Sequence, residues 1–326
     1  FEKLIHIYYN NYTKWSQIIV LVILLIFLFS WLLLNLKTSR PYGKLIKVHP
    51  YRRLLGFIMP TRNESVVYYD EFIKADNLLK YVNESKKNLP CDITHCLVAA
   101  TAISIIKNPE MNRFNIGHRL YQRNDFFATF TVKRKKMNKK AKVSAVKLKI
   151  DEHMSFYEIC KIIDKHITIE RSGKKTFSDK EMNLLSILPR PILKGCIHLV
   201  KTLDYYNILP YSFIKNDAMY TSTLIANLGS LNMSAGYHHL FEWGTSSTFI
   251  TAGKIEDKPV FDKDNNKFVP QKTLHLRFSY DERIDDGLTS NIGIQDIKKV
   301  LEDPYKHLGE LNSKKIFKET INHLSE

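Results

Sequence analysis

KTLHLRFSYDERIDDGL, residues 272–288, is the stretch whose pattern organises the rest of the chain. In its first half Leu274, Leu276, Phe278 and Tyr280 alternate with His275, Arg277 and Ser279, the period of a strand with one buried face. The second half breaks into charge around Glu282, Arg283 and Asp286 and closes on Gly287. A helix over residues 294–301 follows and stops at Glu302-Asp303-Pro304. Strand, charged turn and helix form one unit.

Working outward, TSTLIAN (221–227) and SSTFITAGK (246–254) read as two more strands. Farther upstream, ITHCLVAATAISIIK (93–107) reads as a helix capped by Asp92 and stopped by Asn108-Pro109. Its Ala99, Ala100 and Ala102 suit close packing on a sheet. DFFATFTV (125–132) and AKVSAVKLKI (141–150) read as paired strands, with Val146, Leu148 and Ile150 alternating with Lys147 and Lys149. Ser155 and Glu158 form a capping box that opens a helix through ICKIIDKHI. The run KRKKMNKK (133–140) has no interleaved aromatics, so it reads as a solvated hairpin turn before a nucleic-acid patch; contact with anionic lipid stays open. No internal repeat is visible.

At 326 residues and 44% hydrophobic content, the chain can bury one large core or two modest ones. With 25% charged residues, 12 Gly and 11 Pro, disorder and collagen-like repeats are excluded. The formal charge of +16 favours anionic partners: nucleic acid, acidic headgroups or phosphate-bearing small molecules. Cys91, Cys96, Cys160 and Cys196 are too few and scattered for a disulfide framework. They also lack a C-x-x-C pair, so no metal or redox site is expected and a reduced, cytosol-facing domain is.

Residues 18–34, IIVLVILLIFLFSWLLL, contain one polar residue, Ser30. With flanking residues out to Leu36 the run spans a hydrocarbon core of about 30 Å. It is long for a signal peptide, no small-residue cleavage site follows, and Trp15 and Trp31 suit interfacial anchoring. Lys3 and Lys14 precede it, whereas Lys37, Arg40, Lys44, Lys47, Arg52 and Arg53 follow closely. The positive-inside rule then sets a single-pass membrane protein with its C-terminal domain in the cytoplasm. The expected organisation is a flank (1–17), a transmembrane helix (18–36), a basic linker (37–60), one domain (61–310) and a C-terminal tail (311–326). Inside that domain, residues 184–214 carry Arg190, Lys194, His198 and Lys201 on one helical face among apolar residues. This reads either as an interfacial membrane element or as an amphipathic core helix.

The order of ANLGSLNM (226–233), FITAGKI (249–255) and SYDERIDDGL (279–288), before a helix ending LEDP, resembles the catalytic domain of the 2-oxo acid dehydrogenase acyltransferases. More distantly it resembles chloramphenicol acetyltransferase. KNPEMNRFN (107–115) resembles the segment that precedes these in the family. RLYQRN (119–124) and DERIDDG (281–287) are closer still to a group of uncharacterised bacterial relatives. The resemblance covers about residues 46–308. It implies an α/β fold with a mixed β-sheet flanked by helices, usually a trimer with active sites at subunit interfaces. Two substrates, one an acyl-CoA, then enter a channel from opposite ends. The resemblance also implies a histidine base, a hydroxyl oxyanion donor before N-L-G and an aspartate that braces the loop, here Asp286 beside Gly287.

The chain departs from the family twice. Glu282 stands where the histidine is expected, and Ala226 stands at the hydroxyl position, with Ser222 and Thr223 nearby. A glutamate has an ordinary pKa of about 4.3 and needs burial to work as a base near neutral pH. His238 and His239 are a second choice, with Glu282 orienting an imidazole; otherwise both are structural and Glu282 pairs with Arg283 or Arg277. Asn227 reads as the residue holding the strand crossing, Glu242 and Trp243 as channel lining or packing, and His118 and Arg119 as reaching a CoA phosphate or forming a turn. On this reading Asp286 and the Asn-Leu-Gly turn lie near one another.

Two functions follow. One is a membrane-anchored acyltransferase that uses a coenzyme A thioester as co-substrate, with no covalently bound cofactor. The other is a catalytically inactive scaffold or ligand-binding subunit of a membrane assembly. The expected partners are membrane lipid, further copies of the chain as a homotrimer, and a membrane protein; nucleic acid is not expected. No lipoyl-domain signature precedes the domain.

Overall fold

The computed structural model describes residues 2–134, 140, 142–172, 187–262, 265–310 and 314–325. Helices are α1 (Glu2–Leu36), α2 (Pro50–Ile58), α3 (Asp76–Ser85), α4 (Ile93–Lys107), α5 (Phe156–Arg171), α6 (Arg190–Tyr205), α7 (Tyr211–Asn216), α8 (Gly287–Glu302), α9 (Pro304–Leu308) and α10 (Phe317–Ser325). Strands are β1 (Gly43–Leu45), β2 (Val66–Lys74), β3 (Arg113–Ile116), β4 (Arg119–Arg123), β5 (Phe126–Lys133), β6 (Val143–Ile150), β7 (Thr223–Asn227), β8 (Thr248–Asp262) and β9 (Lys267–Asp281).

The main sheet has the order β2-β9-β8-β7-β5-β6. β7 runs parallel to β5 and β8 while the other pairs are antiparallel, so the sheet is mixed, as expected. One face is covered by α3, α4, α5 and α8 over a core that includes Leu97, Ile103, Phe130, Ile250, Phe278 and Val300. The alanines of α4 are all buried there, and Asp92 caps it by accepting from the Thr94 and His95 amides. The capping box at Ser155 opens α5. On the other face, residues 235–241 run over β8 and β9, burying Leu224, Leu240 and Phe249. A smaller sheet, β1-β4-β3, packs its Phe114 and Tyr121 on Tyr42, Leu209 and Tyr220.

Three expectations need correction. The stretch 37–60 is not a linker: β1 pairs with β4, α2 is a helix, and Arg40 and Tyr42 are buried. The stretch 311–326 is not simply a tail, because α10 buries Phe317 and Thr320. β8 and β9 run on as a hairpin to Asp262 and Lys267, well past residue 254. Most of the basic run 133–140 lies outside the described residues, as do residues 184–186.

On α6, Leu193, Cys196, Val200 and Leu203 turn toward the body, with Val200 and Leu203 on the small-sheet core, while Arg190, Lys194, His198 and Lys201 are exposed. Ile192, Ile197 and Leu199 are exposed as well, so the helix packs one apolar row and leaves other apolar side chains outside. Within α1, Lys14–Leu36 is long and apolar enough to cross a membrane, and none of it is buried.

Candidate active site

The turn after β9 is fixed by a buried ion pair. Arg283 donates from Nε (2.8 Å) and Nη2 (2.7 Å) to the two Asp281 oxygens. The same aspartate accepts from Ser65 Oγ at 2.9 Å. Both members are almost fully shielded, so this two-pronged contact pins the turn. Arg283 also donates to the Met59 carbonyl at 2.9 Å. Asp286 then caps α8 by accepting from the Thr289 amide at 2.9 Å, a bond that lowers its pKa. The bracing expected of Asp286 is thus shared with Asp281.

Between these braces Glu282 is exposed, and among the described residues its carboxylate has no hydrogen-bond or ion-pair partner. It pairs with neither Arg283 nor Arg277, because Arg283 is held by Asp281 and Arg277 by Asp70 at 2.8 Å.

The carboxylate that burial raises is Asp285, a position sequence reasoning missed. It is 5% exposed and accepts from Tyr280 Oη at 2.5 Å, while its Oδ1 has no partner. Desolvation pushes its pKa up to about 6. A folded pKa above the unfolded one means stability is full below about pH 4 and is lost as the pH rises through 6. Asp285→Asn is therefore expected to raise unfolding stability near pH 8 by about 2 kcal/mol and to flatten its dependence between about pH 4 and 6. Denaturant titration across that range checks it, and an unchanged slope refutes it.

His238 and His239 sit at the same end of the sheet. The His238 carbonyl accepts from Ser279 Oγ, and its ring stacks on Phe249 with centroids 3.9 Å apart. Its Nδ1 donates to the His239 carbonyl at 2.7 Å, which leaves Nε2 as the free ring nitrogen. His239 does the same toward the Leu240 carbonyl at 2.9 Å. No hydrogen bond joins either histidine to Glu282, so the expected histidine–carboxylate pair is absent within one chain.

Thr223 and Asn227 lie on the face of β7 opposite Ala226. They alternate with Ala226 and turn to the α4 side, where Thr223 is fully buried and Asn227 donates to Thr94 Oγ1 at 3.1 Å. Asn227 also accepts from the Ser230 amide at 3.1 Å, so it holds the Asn-Leu-Gly turn in place. On the Ala226 face the neighbouring hydroxyl is Thr251, already donating to the Gly236 carbonyl at 2.7 Å.

The turn packs on the β8 bulge. A Cβ on Gly229 would come within 2.3 Å of the Gly253 carbonyl, and one on Gly253 within 2.5 Å of the Ala235 amide nitrogen, so each position is held to glycine by its own close contact. Register places Asn227 beside Ala252 and Leu276, five residues before Asp281, or about 17 Å along the strand. Contrary to expectation, the Asn-Leu-Gly turn and the Glu282 loop do not meet within one chain.

Beside Arg283 lies a cleft of about 350 Å³ containing His118, Glu242 and Trp243. Arg62 lines it too: its guanidinium is buried with Nε unpartnered, and desolvation lowers its pKa. Glu242 accepts from the Asn63 amide at 3.0 Å and is held at the rim. Arg119 points elsewhere, to the Asn35 and Lys37 carbonyls at the end of α1.

A mixed sheet flanked by helices, with a pinned D-E-R-x-x-D-G turn at the end of β9, makes a mixed α/β fold. Residues 214–308 match the family described as 2-oxoacid dehydrogenases acyltransferase (catalytic domain). That match covers less than a third of the chain, and the solved structures that follow share its fold. A Listeria monocytogenes protein described as a probable dihydrolipoamide acetyltransferase superposes with a TM-score of 0.54 at 15% identity, covering 83% of this chain and 97% of that one. The dihydrolipoamide acetyltransferase of Azotobacter vinelandii gives 0.53 at 14%, covering 83% and 93%. A truncated catalytic core of the 2-oxoacid dehydrogenase multienzyme complex from Thermoplasma acidophilum gives 0.51 at 15%, covering 80% and 99%. No curated protein matches the chain.

Proposed function

We propose that this chain is a membrane-anchored acyltransferase that takes its acyl group from a coenzyme A thioester and works as a homotrimer. The observation that carries the reading is the turn itself. Asp281, Arg283 and Asp286 are all committed to holding it, which leaves Glu282 as the one unpaired carboxylate at the family's base position. A lone subunit has an incomplete site, since about 17 Å of strand separates this turn from the Asn-Leu-Gly turn. A neighbouring copy supplies the missing half and desolvates Glu282. Similarity to the catalytic core of a multienzyme complex supports self-assembly. The net charge of +16 suits the phosphates of coenzyme A.

In the reaction, the Glu282 carboxylate takes a proton from the acceptor's hydroxyl or thiol as that atom attacks the thioester carbonyl. The tetrahedral adduct expels the coenzyme A thiolate, which recovers the proton from Glu282. On this reading α1 is the anchor, and the excess of Lys and Arg after it supports a cytoplasmic domain near a lipid or membrane-embedded acceptor.

The test is thiol release from acetyl-CoA by the purified full chain in detergent, read with a thiol reagent. Enzyme-dependent release together with a CoA-dependent rise in Tm is expected. Absence of both overturns the acyltransferase reading. That result would favour a non-catalytic scaffold of a membrane assembly, which the buried Thr223 and the alanine at position 226 support.

A further inference from the structure

We propose that α2 is an in-plane membrane element whose exposed apolar stripe inserts into an anionic leaflet beside the point where α1 leaves it. This rests on the reading of α1 as a membrane-spanning anchor. On α2 the exposed large apolar side chains are Tyr51, Leu54, Phe57 and Ile58, each more than half exposed. Their spacing of three, three and one puts all four on an arc of about 120°. A nine-residue helix of a soluble protein turns such a stripe inward; α2 turns inward Gly56 instead. The inward side is fixed. His118 Nδ1 donates to the Gly56 carbonyl at 2.7 Å, and Phe57, at one edge of the stripe, lays one ring face on His118 with centroids 4.5 Å apart while the rest of it stays exposed.

Position supplies the occupant. Residue 118 holds α2, and the next residue, Arg119, donates to the carbonyls of Asn35 and Lys37 at the end of α1. Asn207 Nδ2 adds a bond of 2.9 Å to the Lys37 carbonyl. One turn of the small sheet therefore grips both the exit of the anchor and α2, and a spanning α1 brings α2 to the bilayer surface. Tyr205 of α6 meets His118 edge-on, so the outward basic row of α6 lies on the same side. Lys44, Lys47 and Arg53, all exposed, lead into or lie within α2. A cationic surround to an apolar stripe matches the headgroup zone of an acidic leaflet, with aromatic and aliphatic tips just below the phosphates.

The experiment uses the full chain in vesicles of phosphatidylcholine and phosphatidylglycerol. Single cysteines at 27, 54, 57 and 261 are introduced in a Cys196→Ser background and carry a polarity-sensitive dye; the native Cys91, Cys96 and Cys160 are buried. Brominated lipids report depth. The expected result is several-fold stronger quenching of Leu54→Cys and Phe57→Cys than of Phe261→Cys, weakened when phosphatidylglycerol is left out. Quenching at Phe27→Cys with positions 54 and 57 as unquenched as 261 overturns the α2 proposal alone. No quenching at Phe27→Cys overturns the anchor reading and this one with it. Copy-to-copy crosslinking through position 57 without lipid quenching assigns the stripe to a second copy and also overturns it.

Discussion

Glu282→Gln lowers acyl transfer from acetyl-CoA by roughly a hundredfold or more, the scale of losing a general base. The substitution is suited to the question. Glu282 is exposed and unpaired within the chain, so glutamine keeps its shape and leaves Tm within the range of a neutral surface change. Asp281, Arg283 and Asp286 go on holding the turn, which separates chemistry from folding. The loss falls in kcat rather than in KM for the thioester, because a base acts on the acceptor's proton and contributes little to thioester binding. An unchanged rate would remove Glu282 from the mechanism. The free Nε2 of His238 would then be the next nitrogen to test.

How far the sequence revealed this arrangement depends on how local each signal is. Asp92 and Ser155 announce their helices because a cap is a bond between near neighbours. The alternation of Val146, Leu148 and Ile150 reveals β6 for the same reason. Pro259 and Pro270 hide the outer half of the β8–β9 hairpin: each reads as a breaker, yet they face each other across it. Arg40 looks like one more cation of a basic flank, and only tertiary contacts show it buried. At the site, the motif located the turn but not the state of its carboxylates. Glu282 and Asp285 look alike in a string of acids, and burial under the sheet edge distinguishes them. Thr223 and Ala226 posed a harder case. Residues 223–226 of β7 are buried on both faces, so no polar alternation marks which side holds the site.

Arg40 and Asp204 carry the second large effect. The guanidinium of Arg40 is held by the Asp204 side chain, by the Asp204 carbonyl at 2.9 Å and by Asn207 Oδ1 at 2.8 Å, and it also donates to Tyr42 Oη. Tyr220 donates to the other Asp204 oxygen at 3.0 Å. The ring of Tyr42 lies 4.9 Å from the charge. With side chains 1% and 6% exposed, neither ion recovers water if its partner is removed. Asp204→Ala is therefore expected to cost about 3–5 kcal/mol in chemical denaturation, most of it the burial of an uncompensated Arg40. Removing both charges tests that cause directly. The double variant Arg40→Met/Asp204→Leu keeps the volume and strands no ion, so it is expected to be more stable than Asp204→Ala alone. If the double variant is as unstable as the sum of its parts, the pair acts through packing rather than charge. The same cluster joins α6 to the chain just beyond α1, since Asn207 also holds the Lys37 carbonyl. Asp204→Ala should consequently open residues 37–43 to protease before the main sheet unfolds, and the double variant should close them again. That ordering ties the anchor's attachment to this buried charge pair rather than to the main-sheet core.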